Sequence, residues 1–299
     1  MTSFAARWWF AAWAACEKSA DYPLPKPVNY ANLNPTLTRT DCDVKHRLQI
    51  PLRHFFATPP TPCPYLQGRL ERKVVTLLAG DDPDGLHNAL SQAGFRRSQD
   101  LAYRPACENC NACVPVRVPA ADFQPDQAQR RVLRRNSGVM ARRLPAYATR
   151  EHYQVFRRYV TARHDGGGMA DMEFADYRAM VEDSPVRSGL TEFRNADGRL
   201  FGVCLIDEMN DGISLVYSYF DPDFENRSPG SFIILWHIQN ACDLGVPYVY
   251  LGYWISESRK MAYKSRFRPL EALTQEGWRL LDQEADPIPQ AAPAVPTFV

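Results

Sequence analysis

The chain has 299 residues, of which 45% are hydrophobic and 23% are charged, and its formal net charge is +1. This length fits one large domain or two ordinary ones, and the composition is that of a soluble globular protein. A charge so close to zero excludes binding of nucleic acid by net charge alone, so any such affinity must come from local patches. No apolar stretch approaches the roughly 20 residues that span a bilayer, and we therefore expect no membrane partner.

The two ends of the chain lack the periodicity of a folded domain. Residues 4–16 are apolar and end in Ala-Ala-Cys, which faintly resembles an export signal, but the apolar core after Arg7 is only about eight residues long. Residues 17–46 are rich in Pro, Asn and Thr. We predict a disordered extension over residues 1–47 and a disordered tail over residues 282–299. Eight cysteines do not make a disulfide scaffold in a chain of this length, which predicts a cytoplasmic protein.

A first, smaller region with mixed signals is predicted over residues 48–135. The segments Lys73–Leu78 and Val114–Val118 have the β-branched and aliphatic composition of strands. Between them, Asp84 to Ala93 has the pattern of a short helix that Gly94 ends. The loops of this region carry a cluster of cysteines.

Three of these cysteines follow a C-x-x-C-x-x-C pattern, at Cys107, Cys110 and Cys113. This spacing can direct several thiolates to one point, as a zinc ion or an iron–sulfur cluster requires, and Cys63 is the best candidate for a fourth ligand. The alternative is a set of reduced thiols that pack a loop. The cysteines therefore suggest a metal, but no cofactor is firmly implied.

A basic segment follows the first region. Residues 128–143 contain six arginines and no acidic residue, and residues 136–149 are predicted to be a basic linker. An uncompensated cluster of this kind favours phosphate binding, by Arg130, Arg131, Arg134 and Arg135 in particular, although a solvated helix face remains the alternative.

The second region is predicted over residues 150–281. Its pattern indicates two helices followed by three strands, the last two of which flank an Asn-Asp-Gly hairpin signal. These elements are Glu151–Ala162, Phe174–Glu182, Thr191–Arg194, Leu200–Asp207 and Ile213–Phe220.

The best-defined unit of the chain starts at the last of these strands. A loop that ends in Arg227-Ser-Pro-Gly230 leads into an apolar helix over Ser231–Leu244, and a strand begins at Pro247. The order strand, loop, buried helix, strand resembles the core of GNAT-like acyltransferases, where the helix N-terminus holds the pyrophosphate of acetyl-CoA. The bulky Phe232 argues against a CoA pyrophosphate here and favours another acyl donor. We therefore predict an α/β (α+β) protein with a GNAT-like C-terminal domain behind a smaller mixed domain.

Several long motifs carry a more specific resemblance. They are Cys63-Pro-Tyr-Leu66, Gly94-Phe-Arg-Arg-Ser98, the cysteine run from Tyr103 to Arg117, Tyr219-Phe-Asp-Pro222, Tyr248 to Ile255, and Lys260-Met-Ala-Tyr-Lys264. With these motifs the chain resembles the bacterial arginyl-tRNA–protein transferase family, and within it the aspartate/glutamate leucyltransferases. The resemblance covers about residues 48–281. It departs from the family at Gly230-Ser-Phe232, where Gly-Thr-Tyr is usual.

The resemblance implies an enzyme of the N-end rule pathway. Such an enzyme takes leucine from leucyl-tRNA and joins it to proteins that begin with Asp or Glu, which marks them for degradation. Arginine transfer to the same acceptors and CoA-dependent N-acetylation are the alternatives within the fold. A metal-binding or nucleic-acid-binding module without enzymatic activity would explain residues 107–143 but not the acyltransferase-like half.

The candidate catalytic residues lie on the two strands of the GNAT-like unit. Tyr219 and Asp221 alternate with their neighbours, so they share one face of a strand, and Tyr250 lies on the next strand beside the same crevice. Asp221 would orient the incoming ammonium group or accept its proton, and the alternative is a turn residue before Pro222.

The candidate binding residues lie around the same unit. Lys264 and Arg266 would pair with the substrate carboxylate or with the terminal adenosine phosphate, and surface charge is the alternative. Tyr253 would stack on the terminal adenine, and core packing is the alternative. Ser231 keeps a hydroxyl group at the start of the helix.

Overall fold

The structure is a computed structural model that describes residues 53–163, 169 and 171–281. The predicted extension over 1–47 and the predicted tail over 282–299 lie outside these residues. So do residues 164–168, which form most of the glycine-rich segment after the first predicted helix of the second region. None of the helices in the described ranges is long and apolar enough to cross a membrane.

The N-terminal part contains a small sheet and a short ribbon. The sheet is antiparallel in the order β1-β4-β6-β5, formed by β1 (Phe56–Ala57), β4 (Lys73–Leu77), β6 (Leu101–Pro105) and β5 (Arg96–Ser98). The ribbon pairs β2 (Thr61–Pro62) with β3 (Leu70–Glu71). Helix α1 (Pro83–Gln92) lies between β4 and β5. The Asp82 side chain caps its first turn by accepting from the Gly85 amide at 2.8 Å.

A large mixed sheet forms the rest of the fold. Its strands are β7 (Val114–Pro119), β8 (Met140–Pro145), β9 (Ser188–Arg194), β10 (Leu200–Glu208), β11 (Gly212–Phe220), β12 (Tyr248–Trp254), β13 (Glu271–Thr274) and β14 (Gly277–Leu280). They are arranged in the order β14-β13-β7-β12-β11-β10-β9-β8. The β11–β12 pair is parallel and the other neighbouring pairs are antiparallel.

Helices cover both faces of this sheet. One face packs against α2 (Gln127–Arg135) and α5 (Pro229–Asp243), and the other packs against α3 (Arg150–Arg163) and α4 (Phe174–Glu182). Helix α5 is apolar on more than one side because it fills the space between the sheet and α2, and Phe232, Ile233 and Ile238 are buried. Two 3₁₀ helices, Pro222–Arg227 and Ala262–Arg266, follow β11 and β12 respectively.

A buried ion pair joins the small sheet to the large one. Arg97 on β5 donates from Nε and Nη2 to the two carboxylate oxygens of Asp207 on β10, at 2.8 and 2.7 Å. The hydroxyl group of Ser188 donates to the same carboxylate at 2.7 Å. Because both charged side chains are fully buried, this contact fixes how the small sheet lies against the large one.

The predicted α/β architecture is confirmed. The strand, loop, buried helix and strand of the GNAT-like unit are β11, the first 3₁₀ helix, α5 and β12. Ser228 is the N-cap of α5 with Pro229 in the first position, as expected, but its side chain makes no capping hydrogen bond and its φ is +56°.

The large sheet takes strands from more than one of the predicted regions. Strand β7, assigned to the first region, lies between β12 and β13, and β8 lies within the predicted basic linker over 136–149. An apolar strand pattern does not reveal its partner strand, so the domain boundaries at 48–135 and 150–281 stay predictions.

Candidate functional site

Strands β11 and β12 separate after a short parallel ladder. The ladder pairs Gly212 with Tyr248, Ile213 with Val249 and Ser214 with Tyr250, and in the described residues it goes no further. On the other side of β12, the register against β7 shifts between Tyr250 and Gly252. We call the gap between residues 215–220 of β11 and 251–254 of β12 the strand opening. Across this gap the backbone groups of the two strands do not pair with each other as they would in a continuous ladder.

The side chain of Arg96 enters the strand opening from β5. Its Nη2 donates to the carbonyl oxygens of Leu215 and Val216 at 2.8 and 3.1 Å, and so replaces hydrogen bonds that the separated strands do not make. Its guanidinium group fills the space where residue 252 would carry a side chain. A Cβ at Gly252 would lie 2.6 Å from Cζ of Arg96, and the φ of +76° at this position also favours glycine.

One nitrogen of this guanidinium group has no partner. Nη1 of Arg96 is buried and makes no hydrogen bond within the described residues. Sequence reasoning did not select Arg96 as a site residue. The motif Gly94-Phe-Arg-Arg-Ser98 carried the signal, because two consecutive arginines in a strand must point to opposite faces.

Lys264 also lies at the strand opening. It is only 8% exposed, and its Nζ donates to the carbonyl oxygen of Tyr253 at 2.7 Å. Burial, with the charge of Arg96 as a second cause, lowers the pKa of Lys264 to about 7, although Cys113 acts in the opposite direction. The structure therefore places this predicted binding residue inside the protein and not on the surface.

Tyr250 lies at the closed end of the ladder. Its hydroxyl group donates to Asp211 at 2.9 Å and accepts from Gln92 and Arg117 at 2.8 and 2.9 Å. The Arg117 guanidinium group is 3.6 Å from the ring centroid of Tyr248. Burial raises the pKa of the Tyr250 phenol. This network joins α1, β7 and β12. Contacts within the fold are therefore enough to explain why Tyr250 is buried.

Tyr219 lies in an aromatic cluster under α3 and α4. Its hydroxyl group is 2.5 Å from that of Tyr177, and Phe156 packs against both rings. Burial raises the pKa of Tyr219 well above its usual value. Tyr217 packs in the same cluster, as the predicted alternation requires, and its buried hydroxyl group has no hydrogen-bond partner among the described residues.

Asp221 follows β11 and begins the first 3₁₀ helix. Its carboxylate group accepts from Arg158 at 2.9 Å, from Arg199 at 2.6 Å and from the backbone amide of Asp223 at 3.1 Å. It is 1% exposed. With two guanidinium partners, this carboxylate is already satisfied in the protein alone, and its contact with the Asp223 amide is one that a turn residue makes.

The three predicted catalytic residues do not meet at one point. Tyr219 and Asp221 lie at the open end of β11, whereas Tyr250 pairs with Ser214 at the closed end of the ladder. At about 3.3 Å per residue, Asp221 and Tyr250 are separated by roughly 20 Å along the strand direction. Periodicity places residues on one face of a strand but does not give the register between two strands.

The predicted phosphate-binding arginines lie together on α2. Arg130, Arg131, Arg134 and Arg135 are all exposed, and none forms an ion pair within the described part of the chain. The Asp126 side chain and Gln129 cap the helix reciprocally. These charges therefore stand on a well-capped helix that packs against the core.

This basic face adjoins the start of α5. Nη1 of Arg135 donates to the carbonyl oxygen of Asn226 at 2.5 Å, and Nη2 of Arg227 donates to the carbonyl oxygen of Arg135 at 2.8 Å. Ser231 is half-buried in the first turn of α5. The arginines and the helix N-terminus thus form one positive surface that suits a chain of phosphates.

Two further predicted contact residues lie in different places. Arg266 is exposed, and its carbonyl oxygen accepts from Nε2 of Gln129 at 2.8 Å. Tyr253 is 6% exposed, and its hydroxyl group donates to the carbonyl oxygen of Gly94 at 2.9 Å. The ring of Tyr253 packs in the core of the protein. This position corresponds to core packing, the alternative to stacking on the terminal adenine.

The four candidate metal ligands line one cavity of about 70 Å³ beside β12, together with Tyr253 and Ile255. These ligands are Cys63, Cys107, Cys110 and Cys113. Burial and the three other thiols raise the pKa of Cys113 to about 12. The donor chemistry suits a soft metal. As placed, however, no three His, Cys, Asp or Glu residues of the described ranges are arranged to hold a metal ion.

Comparison with known proteins identifies the family. The model of the arginine-tRNA-protein transferase N terminus matches residues 61–131, and that of the C terminus matches residues 151–274. The chain belongs to this family.

Curated relatives of this transferase are similar over most of their length. The aspartate/glutamate leucyltransferase of Paramagnetospirillum magneticum is 56% identical over 225 residues, which cover 75% of this chain and 92% of the relative. The enzyme of the same name from Parvibaculum lavamentivorans is 57% identical over 225 residues, covering 75% and 93%. The solved structure of FemX aligns with a TM-score of 0.40 at 11% identity, covering 62% of this chain and 65% of that one, a similarity too low to support an inference.

Proposed function

We propose that this transferase moves leucine from leucyl-tRNA to the amino group of proteins that begin with Asp or Glu, and that it acts in the cytoplasm, where its product would enter N-end rule degradation. The observation that carries the proposal is the similarity to two relatives named aspartate/glutamate leucyltransferase, at 56% and 57% identity over nearly their whole length.

The reaction requires little covalent chemistry from the protein. The acceptor amine attacks the ester carbonyl carbon, an amide bond forms, the ester C–O bond breaks, and the ribose hydroxyl of tRNA leaves with a proton. Because the ester is already activated, the enzyme has mainly to position the amine and stabilise the developing oxyanion. The strand opening supports this role, because the two strands separate there beside the guanidinium group of Arg96, whose Nη1 has no partner among the described residues.

Three groups of residues divide the remaining tasks. The arginines of α2 and the start of α5 would hold tRNA phosphates, which gives affinity without sequence recognition. Asp221 would act as a positioning residue that fixes the end of β11 through Arg158 and Arg199, since it would have to give up a guanidinium partner before accepting a proton. Tyr219 and Tyr250 would support the strand opening from its two ends.

The four cysteines would hold zinc or an iron–sulfur cluster after a rearrangement of their side chains. Their cavity borders β12 and not the helix that carries the arginines. Such a metal would stabilise the N-terminal sheet beside the strand opening, and no step of the transfer is assigned to it.

A transfer assay with charged tRNA tests this function. We expect labelled leucine from leucyl-tRNA to appear on peptides that begin with Asp or Glu, and not on a peptide that begins with Ala. Arginyl-tRNA and labelled acetyl-CoA are tested in parallel, as the donors of the two alternative reactions. Transfer of arginine in place of leucine would move the protein to the sister activity, and acetylation without tRNA would contradict the proposal.

A further inference from the structure

Two consecutive arginines of β5 have opposite surroundings. Arg97 makes a bidentate ion pair with Asp207, so its charge is balanced inside the protein. Arg96 points to the other face and donates to two uncharged carbonyl groups, and its buried Nη1 has no partner in the described residues. A buried polar group without a partner is costly, and it is most easily explained by a ligand that supplies one.

A buried cation, Lys264, lies beside the half-buried Arg96. The guanidinium group of Arg96 packs against Gly252, and Nζ of Lys264 bonds the carbonyl oxygen of Tyr253, which is the next residue of β12. The two cations therefore converge on consecutive residues at the strand opening. Neither of them forms an ion pair with an acidic side chain in the part of the chain that the structure describes.

A half-buried guanidinium group and a buried ammonium group, neither with an acidic partner in the described residues, form a site for an anion. In the protein alone, the cations of this part of the opening have no acidic partner among the described residues. A bound anion would restore the balance and accept hydrogen bonds from the free guanidinium nitrogen of Arg96 and from the ammonium group of Lys264.

We propose that Arg96 and Lys264 bind the side-chain carboxylate of the acceptor's N-terminal Asp or Glu. This inference rests on the proposed function, and it assigns a residue pair to the selection of acidic acceptors. In both acceptors the carboxylate lies a short carbon chain away from the α-amine, so holding it at the opening also holds the amine near the ester.

The location of the pair favours a carboxylate over a tRNA phosphate. The exposed arginines of α2 and the start of α5 already offer a separate surface for phosphates. Arg96 and Lys264 instead come from β5 and the second 3₁₀ helix and bond to backbone carbonyl groups of β11 and β12 at the strand opening. The leucyl ester carries no negative charge, so these cations do not serve the leucine side chain.

Competition between matched acceptor peptides tests the pair. The full-length protein, Arg96→Gln and Lys264→Met would be assayed with leucyl-tRNA and with peptides that begin with Asp or Asn. The ratio of kcat/KM for the two peptides measures recognition of the carboxylate. We expect each variant to lower that ratio on the order of 100-fold, because a buried charge loses its partner.

Two controls separate recognition from folding and from tRNA binding. Arg279→Gln removes an exposed positive charge from β14 and is expected to keep the wild-type ratio. The Kd for leucyl-tRNA, from fluorescence anisotropy, is expected to stay within about twofold in both variants, since phosphate contacts lie elsewhere. Lys264→Met keeps the side-chain length and removes one hydrogen bond to Tyr253. If Arg96→Gln disturbs the structure of the opening, the peptide ratio of Lys264→Met is the one that tests the inference.

The outcomes distinguish the inference from the function on which it rests. An unchanged ratio of kcat/KM for the Asp and Asn peptides in both variants would overturn the inference. Leucyl transfer by the wild type would still uphold the function. A loss of tRNA affinity with an unchanged ratio would assign the pair to a phosphate and would also overturn it. A wild-type protein that transfers no leucine to either peptide would refute the function and the inference together.

Discussion

Arg97 and Asp207 form a fully buried, bidentate ion pair between the small sheet and the large one. Burial alone would raise the pKa of Asp207, but His87 and Arg97 together lower it to about 2. The carboxylate is therefore charged at every pH at which the protein is expected to be folded.

Removing one partner of this pair should be costly. We expect Arg97→Met to lower the free energy of unfolding by about 3–5 kcal/mol, because Asp207 is left as a buried charge without its main partner. Urea denaturation followed by circular dichroism measures the change, with the exposed Arg279→Gln as the control. A loss below about 1 kcal/mol, the scale of a surface pair, would show that the pair does not hold the sheets together.

The basic face of α2 should control tRNA binding through its charge. Replacing both Arg134 and Arg135 by Ala is expected to weaken leucyl-tRNA binding and to flatten its salt dependence. Each lost phosphate contact should lower the slope of log K against log salt by about 0.7–0.9. The measurement is a salt titration of binding, with Arg279→Ala as the matched removal of one exposed charge. An identical slope in the double variant would place the tRNA on another surface.

Asp221 and Asp223 share the same two arginines but differ in burial. We expect Asp221→Asn to reduce turnover while leucyl-tRNA affinity is kept, because the buried carboxylate fixes the end of β11. Asp223→Asn, which changes an exposed carboxylate, should have a much smaller effect. Steady-state kinetics and a tRNA binding assay give the two quantities. Wild-type turnover in Asp221→Asn would remove this residue from the mechanism.

His237 should make the fold sensitive to acid. Burial lowers its pKa to about 4, against 6.5 for an exposed histidine, and the neutral ring donates to the Ile233 carbonyl and accepts from the Thr191 hydroxyl group. Between pH 6.5 and pH 4 the unfolded chain binds a proton that the folded chain does not. Stability should therefore fall as the pH falls through this window, by about 3 kcal/mol in all.

Replacement by a residue that does not titrate isolates this contribution. His237→Gln keeps an amide that can donate and accept, and its unfolding free energy should change less between pH 6.5 and pH 4 than that of the wild type. Urea denaturation across the window measures the difference. Parallel pH profiles for the two proteins would mean that other groups cause the acid sensitivity.

The cysteine cavity should contain metal in protein that is purified without oxygen. We expect iron or zinc at about one ion or cluster per chain, and a large loss of it in Cys110→Ser. Cys204→Ser changes a buried thiol on β10, away from the cavity, and should keep the metal. Elemental analysis measures the content. A wild-type content far below one per chain would leave the four thiols as packing groups.

The local elements of the fold were accessible from the sequence. The helix predicted over Phe174–Glu182 has those bounds in the structure, and the apolar helix predicted over 231–244 spans Pro229–Asp243. Both depend on spacing and on flanking Pro or Gly residues, which are local signals. The GNAT-like unit followed from the same signals.

Contacts between distant residues were not accessible in this way. Nothing in the pattern around Val114–Val118 indicates that β7 lies between β12 and β13, because an apolar strand fits many neighbours. Arg96 reaches carbonyl groups about 120 positions further along the chain, a contact that only the strand register creates. The separation of Asp221 from Tyr250 has the same origin, since alternation fixes a face and leaves the relative position of two strands open.

Strand β8 is an edge of the large sheet, paired with β9 on one side only. An unpaired edge is a template on which a second chain can add a strand. This edge carries Arg142 and Arg143 and ends in Pro145, which has no amide hydrogen to offer. Arg143 is paired with Glu208, but the charge of Arg142 and the missing donor make the edge a poor template. Part of the basic segment therefore protects the protein from edge-to-edge aggregation, whatever it contributes to binding RNA.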